Sequence, residues 1–368
     1  MQDLLCFSHR RWNFVYQRPQ HLLARFARDR RVFVFEEPVF GATETGLDVR
    51  SDGGVTVAVP HLPSAAYPAD QFLRQLLDEL LTAKYISNPV LWYYTPMALA
   101  FSRHLRASAV VFDCMDELSA FENAPASLLA RETELLDRAD VVFTGGQSLY
   151  EAKCDRHPNC HAFPSSVDGE HFGQARRAQT DPPDQRNIQH PRVGFFGVVD
   201  ERFDVELVAR LARLRPEWQQ IIVGPVVKID RASLPVADNI HYLGMKAYQD
   251  LPRYVAGWDA AYIPFARNAA TRFISPAKTP EYLAAGLPVV STSIADIVRP
   301  YGQLRLVKIA DAPEEFAGAL DAVRAESDSD WLRRVDDYLA GLSWDRTYAA
   351  MNRLVDDAVG RATMMRSA

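Results

Sequence analysis

An α/β chain of two halves, each a parallel sheet flanked by helices, is what the sequence predicts, and three observations predict it. Compact apolar runs alternate with amphipathic helical stretches from end to end, the syntax of repeated strand–helix–strand units. The alternation breaks once, between Ser165 and Pro191, where periodicity fades and Asp181-Pro182-Pro183-Asp184-Gln185 gathers turn formers. With 368 residues, 48% of them hydrophobic and 24% charged, the chain has the length for two cores of ordinary size.

Taken in order, 3–7 reads as a first strand, followed by the polar turn Ser8-His9-Arg10-Arg11 and Trp12. Residues 17–28 place Leu22, Leu23, Phe26 and Ala27 on one side of a helix. Strands are expected at 31–35, 55–59, 90–94, 109–113 and 140–144, with helices at 69–83, 126–138 and 147–155. After the break, strands are expected at 192–197, 220–223, 240–243, 260–263, 287–292 and 304–308. The helices between and after them are 204–214, 248–257, 275–286, 313–325, 331–339 and 345–359, with 361–368 frayed. The division that follows is 1–170, a linker at 171–191, 192–345, and a C-terminal helix 346–368 returning to the first half. Both halves are Rossmann-like, and there is no shorter repeat.

Composition narrows the function. A net charge of −6 argues against a general nucleic-acid binder, which needs surplus Lys and Arg. The four cysteines (Cys6, Cys114, Cys154, Cys160) have no C-x-x-C spacing, so neither a zinc site nor a disulfide framework is expected. No apolar run approaches the roughly 20 residues of a membrane span, and the N-terminus lacks the basic and apolar regions of a leader, so a cytoplasmic protein is expected. Arg10, Arg11, Arg18, Arg25, Arg28, Arg30 and Arg31 crowd the first 31 residues against only Asp3 and Asp29. They are either a solvated face or a surface drawn to anionic lipid headgroups, as at the inner face of the plasma membrane, or to a polyanionic acceptor.

The stretch 273–292, F-I-S-P-A-K-T-P-E-Y-L-A-A-G-L-P-V-V-S-T, holds the most chemistry. Ser275 is a good N-cap and Pro276 suits the first helical position, so a helix should open there and close near Gly286. Its first-turn amides, the positive end of its dipole and Lys278 would favour a diphosphate at one spot. Glu281 would sit roughly 7 Å further along the axis than Pro276, about the reach from a diphosphate to the ribose of the same nucleotide. The competing reading is that Ser, Lys and Glu only cap the helix and match its dipole.

Together with Gly197-Val198-Val199-Asp200-Glu201-Arg202-Phe203-Asp204, Val223-Gly224-Pro225 and His241-Tyr242-Leu243-Gly244, this stretch resembles the donor half of a GT-B glycosyltransferase. It is similar to family four, the retaining nucleotide-sugar enzymes. In the first half, Trp12, Gln17-Arg18-Pro19-Gln20-His21, Asp113-Cys114-Met115-Asp116-Glu117, Asp140-Val141-Val142-Phe143 and Ser166-Val167-Asp168 resemble a bacterial subgroup tied to cell-surface polysaccharides. The resemblance implies two Rossmann-like domains whose parallel sheets face across a cleft. It also implies a UDP- or GDP-linked sugar as donor, a glycan or lipid-linked acceptor, and no cofactor. The family usually carries two glutamates eight positions apart, one touching the sugar and one the ribose. Glu281 matches the second and Phe273 stands at the first, so the sugar contact is altered. The family's glycine-rich first loop is replaced by Ser8-His9-Arg10-Arg11-Trp12.

Transfer from such a donor needs the departing diphosphate neutralised, which GT-B enzymes do with cations and amides and without a metal. Arg202 and Lys278 are the candidates, supported by the amides of Gly197, Val198 and Val199 and by those of Ile274, Ser275 and Ala277, with Pro276 (which has no N–H) and Gly224 also placed on the donor side. Arg202 could instead pair with Glu201 or Asp204, and Lys228 is a third cation, read as a surface residue. Asp113 and Asp116, just past a strand end, would orient or deprotonate an acceptor hydroxyl, or cap the next helix. A metal on D-x-x-D would need a third ligand that the sequence does not offer. His9, Arg10, Trp12 and Arg18 are expected on the acceptor side, and His21 in packing. The rival functions are a nucleotide-sugar epimerase of the same fold and a non-catalytic nucleotide-sugar-binding partner.

Overall fold

The computed structural model describes residues 2–65, 69–122, 124–326 and 328–367. The chain divides into two compact units, the first formed by Met1–Ser119, Asn123–Pro164 and Asp345–Ala368, the second by Ala120–Glu122 and Ser165–Trp344.

The first unit is built on one sheet. Its strands are β1 (Leu4–Ser8), β2 (Val32–Glu36), β3 (Val39–Phe40), β4 (Gly46–Asp52), β5 (Val55–Leu62), β6 (Val90–Tyr93), β7 (Ala109–Cys114), β8 (Val141–Thr144) and β9 (Cys160–Ala162). They lie in the order β3-β5-β2-β1-β6-β7-β8-β9, parallel throughout, with β4 antiparallel on β5. Strands β1, β2, β6 and β8 are buried along their whole length, as helices on both faces require. The exposed β3 and β4 and the three-residue β9 are absent from the sequence reading, because they carry no continuous apolar run.

The last helix, Trp344–Ser367, packs on this unit. Met351 and Val355 are fully buried, and Tyr348 meets the edge of Phe26. Residues expected to fray from 361 onward are helical to Ser367, and Ala368 lies outside the described residues.

The second unit has strands β10 (Arg192–Phe196), β11 (Gln219–Val223), β12 (Ile240–Gly244), β13 (Ala260–Ile263), β14 (Val289–Ser291) and β15 (Lys308–Ile309). Their order, β12-β11-β10-β13-β14-β15, is all parallel and reverses direction between β10 and β13. That reversal opens a crevice beyond the carboxyl ends of the strands, the place where such sheets bind ligands. The expected strand at 304–308 shrinks to β15, since 303–307 form turns and Arg305 holds a left-handed φ of 53°.

Residues 171–191, expected as a linker, are instead part of the second unit. Gln185 is fully buried, donating to Tyr254 O at 3.0 Å and accepting from Trp258 Nε1 at 2.9 Å. The Arg192 guanidinium reaches Asp181 at 2.6 Å. Polar anchors of this kind order a segment without giving it the periodicity by which a sequence announces an element.

Candidate functional site

Two glycines bring the loops after β10 and β11 together. Gly197 and Gly224 both adopt φ of 140°, which side chains rarely allow, and a Cβ on Gly224 would strike Gly197 O. The contact is stitched by Gly197 N to Val223 O (2.8 Å), Val199 N to Pro225 O (2.9 Å) and Val227 N to Val199 O (3.0 Å). The amides of Gly197 and Val199, expected to support an anion, are therefore spent inside the protein. Their role is to shape the loop that flanks Val198.

Lys278 lies over this loop. A Cβ on Gly197 would collide with its Cε, and its ammonium stands 5.3 Å from the Phe195 ring and 5.5 Å from that of Phe265. Aromatic faces hold a cation in place without neutralising it by a full charge.

The helix that bears it starts later than expected. It runs Lys278–Ala284 with Ala277 at the cap position, and no side chain caps it. Ser275 is not the cap: proline at 276 disfavours helical backbone at the residue before it, and Ser275 O accepts from Ser165 Oγ at 3.0 Å. Thr279 N and Glu281 N bond to Pro276 O and Ala277 O, so the helix start offers fewer open amides than a longer one would. The helix is pinned by Tyr282 Oη, which accepts from Phe196 N at 2.9 Å, and its last carbonyls, Leu283 O and Ala284 O, accept from Arg176.

Glu281 is buried, with 7% of its surface exposed. Burial pushes its carboxyl up from the ordinary 4.5 to about 8, with Lys278 opposing the shift and Asp168 adding to it. At neutral pH it is mostly protonated, able to donate as well as accept. Asp168 caps the helix Gly169–Gly173 by accepting from His171 N at 3.0 Å. Asp168 lies 113 positions before Glu281, and its effect on that carboxyl arises only in the fold.

Arg202 is held by neither Glu201 nor Asp204. It forms a two-point pair with buried Asp200 (2.9 and 2.6 Å), while Asp204 caps the helix Val205–Leu214. Its charge is thus largely compensated by Asp200. Phe273 is half-buried, with the Arg272 guanidinium 5.0 Å above its ring. Lys228 is exposed at a left-handed φ of 62°.

In the first unit the expected acceptor-side residues separate into two groups. Asp113 is fully buried, with both carboxylate oxygens engaged by Arg18 at 3.1 and 2.9 Å. Burial raises its pKa and Arg18 opposes that rise. Arg18 is itself buried, and its remaining nitrogen donates to Phe163 O at 2.6 Å. The two side chains are thus engaged with each other inside the unit, where capping of the next helix and contact with an acceptor were expected of Asp113. Trp12 is likewise buried, its indole donating to Asp52 and its amide to Glu36. Asp116 and Arg10 form a partly open pair at 2.9 Å, and His9 beside them is half-buried. Glu117 is tied to buried Lys153 at 2.6 Å. Among the described residues no group of three or more His, Cys, Asp and Glu could hold a metal.

All seven arginines of the N-terminal cluster are ion-paired: Arg10 with Asp116, Arg11 with Glu36, Arg18 with Asp113, Arg25 and Arg28 with Asp345, Arg30 with Asp356, and Arg31 with Asp3. Five of the six partner acids lie outside the first 31 residues, so the positive surplus of this segment is smaller in the fold than in the sequence. No helix among the described residues is long and apolar enough to cross a membrane.

Residues 190–325, the sheet and helices around Gly197 and Lys278, match the family described as Glycosyl transferases group 1. The chain is 24% identical over 278 residues to the putative teichuronic acid biosynthesis glycosyltransferase TuaH of Bacillus subtilis, covering 69% of this chain and 68% of that protein. Among solved structures it is similar to sucrose-phosphate synthase from Thermosynechococcus elongatus, with a TM-score of 0.73, 12% identity and coverage of 98% and 100%. It is also similar to HepE of Anabaena in complex with UDP-glucose, with a TM-score of 0.70, 14% identity and coverage of 97% and 100%.

Proposed function

We propose that this chain, a glycosyltransferase of the GT-B fold whose residues 190–325 form a group 1 domain, moves a hexosyl group from a UDP- or GDP-linked sugar to a hydroxyl of a surface glycan or lipid-linked acceptor. It does so with retention and without a metal. The observation that carries the reading is Lys278 laid across Gly197 at the carboxyl end of β10, with Glu281 on the same helix and deeper in the same unit.

In this reading Lys278 receives the diphosphate, and Glu281 exchanges hydrogen bonds with the ribose hydroxyls. As the C1–O bond to the leaving phosphate breaks, charge grows on the diphosphate and Lys278 meets it, with Arg202 as a weaker aid. The acceptor oxygen takes C1, its hydroxyl proton passes to the departing phosphate oxygen, and the nucleoside diphosphate leaves. Phe273, where the family likeness places a carboxylate, sets the sugar preference through shape. Arg10, His9 and Asp116 form the acceptor-side group. The likeness to TuaH supports a polysaccharide acceptor, and that to HepE with UDP-glucose supports a nucleotide-sugar donor.

The test is a panel of nucleotide sugars screened by thermal shift, followed by nucleoside diphosphate release with excess chelator, with and without glycan acceptors. Acceptor-stimulated release that survives the chelator is the expected result. Binding without turnover on any acceptor would favour a non-catalytic sugar-nucleotide partner, and loss of release in chelator would restore a metal.

A further inference from the structure

A second cavity in the same unit lies at the opposite end of the sheet from Lys278. It has a volume of about 540 Å³ and is bordered by Pro288 and Val289 at the amino end of β14 and by Val307 and Lys308 at that of β15. Three of its lining residues, Arg305, Lys308 and Arg334, are cationic, and none is acidic. Neither Arg305 nor Arg334 has a carboxylate partner among the described residues; Arg334 makes one hydrogen bond, to Leu304 O at 3.3 Å. Arg305 also holds a left-handed backbone, a cost of about 1 kcal/mol that a non-glycine residue bears only when its surroundings fix it there. The floor is apolar, with Pro288, Val307 and the ring of Trp331, whose indole N–H is already bonded to Leu306 O at 3.2 Å.

We propose that this cavity binds a small organic phosphate. Two guanidinia without carboxylate partners among the described residues line one cavity, and the planar fork of each matches a phosphate group. An inorganic ion alone would leave most of the volume and the apolar floor unused, whereas a phosphate ester fills both; the volume is that of a small-molecule site. The proposal stands apart from the donor reading, because none of the lining residues belongs to the Gly197–Lys278 loop system.

The probe is phenyl phosphate, titrated calorimetrically into the full chain with and without saturating UDP, alongside phenol, benzoate and inorganic phosphate. Saturable binding of phenyl phosphate at one site that persists with UDP present is expected. Phenol and inorganic phosphate should each bind about tenfold more weakly or worse. Arg305→Gln with Arg334→Gln should weaken phenyl phosphate by about tenfold or more at unchanged melting temperature, and Arg305→Lys should weaken it less. Phenyl phosphate that fails to saturate, that competes with UDP, or that binds the double variant as tightly as the native chain would overturn the site. Benzoate binding equally well would overturn its assignment to phosphate.

Discussion

Lys278 packs its aliphatic stem against the bare α-carbon of Gly197, so that one residue's missing side chain is the other's seat. The two lie 81 positions apart, yet a side chain at 197 cannot be added without moving the lysine. Gly197→Ala is expected to fail twice over, through its φ of 140° and through the collision with Cε. Stability should fall by at least about 1 kcal/mol, and kcat by about a hundredfold as the ammonium is displaced. Urea unfolding and steady-state kinetics measure the two effects. A folded Gly197→Ala enzyme with native kcat would remove Lys278 from the reaction.

Lys278→Met separates charge from packing. The methionine keeps most of the stem over Gly197 and gives up only the ammonium between the rings of Phe195 and Phe265. Loss of that contact should cost no more than about 1 kcal/mol of stability. The loss of charge at the diphosphate should lower kcat/KM by roughly two to three orders of magnitude. An equal fall in stability and activity would mean that the lysine serves mainly the fold.

Glu281 makes the empty protein sensitive to pH. Its folded carboxyl titrates near 8 because of burial, with Asp168 contributing, against 4.5 in the unfolded chain. Between those values the folded state holds the extra proton, so stability is fully present below about 4.5 and is lost as pH rises toward 8. Glu281→Gln keeps the uncharged shape and should flatten that slope. By pH 9 it should be the more stable protein. Asp168→Asn should lower the upper limit of the window. Thermal melts from pH 4 to 9 decide the matter, and identical slopes for native and Glu281→Gln chains would contradict the burial argument.

The sequence carried the strand and helix alternation because buried parallel strands are continuous apolar runs, whereas the approach of Gly197 to Gly224 joins two loops that no local pattern links. Partner choice was not legible. Arg202 had Glu201 and Asp204 as neighbours and took Asp200, a matter of loop curvature that no spacing rule encodes. Residues 171–191 looked like a linker because their order comes from Gln185 and Arg192, not from a period. Asp113 looked catalytic from its place after β7, and only the fold shows that Arg18, 95 positions away, occupies both its oxygens.

That last pair gives the sharpest separation of structure from catalysis. A fully buried carboxylate that loses its charge leaves a guanidinium without compensation, so Asp113→Asn should cost about 3 to 5 kcal/mol. Replacing both members, as Arg18→Met with Asp113→Leu, should recover much of that loss, because two apolar groups bring no unpaired charge. Where the single variant remains folded, acceptor KM should stay near the native value, whereas Asp116→Asn, at the open pair with Arg10, should change it with little effect on stability. Urea titrations of the two singles and the double, read beside acceptor kinetics, measure both halves of the argument. If Asp113→Asn were as stable as the native chain but slow in transfer, the buried pair would have to be reassigned to the reaction.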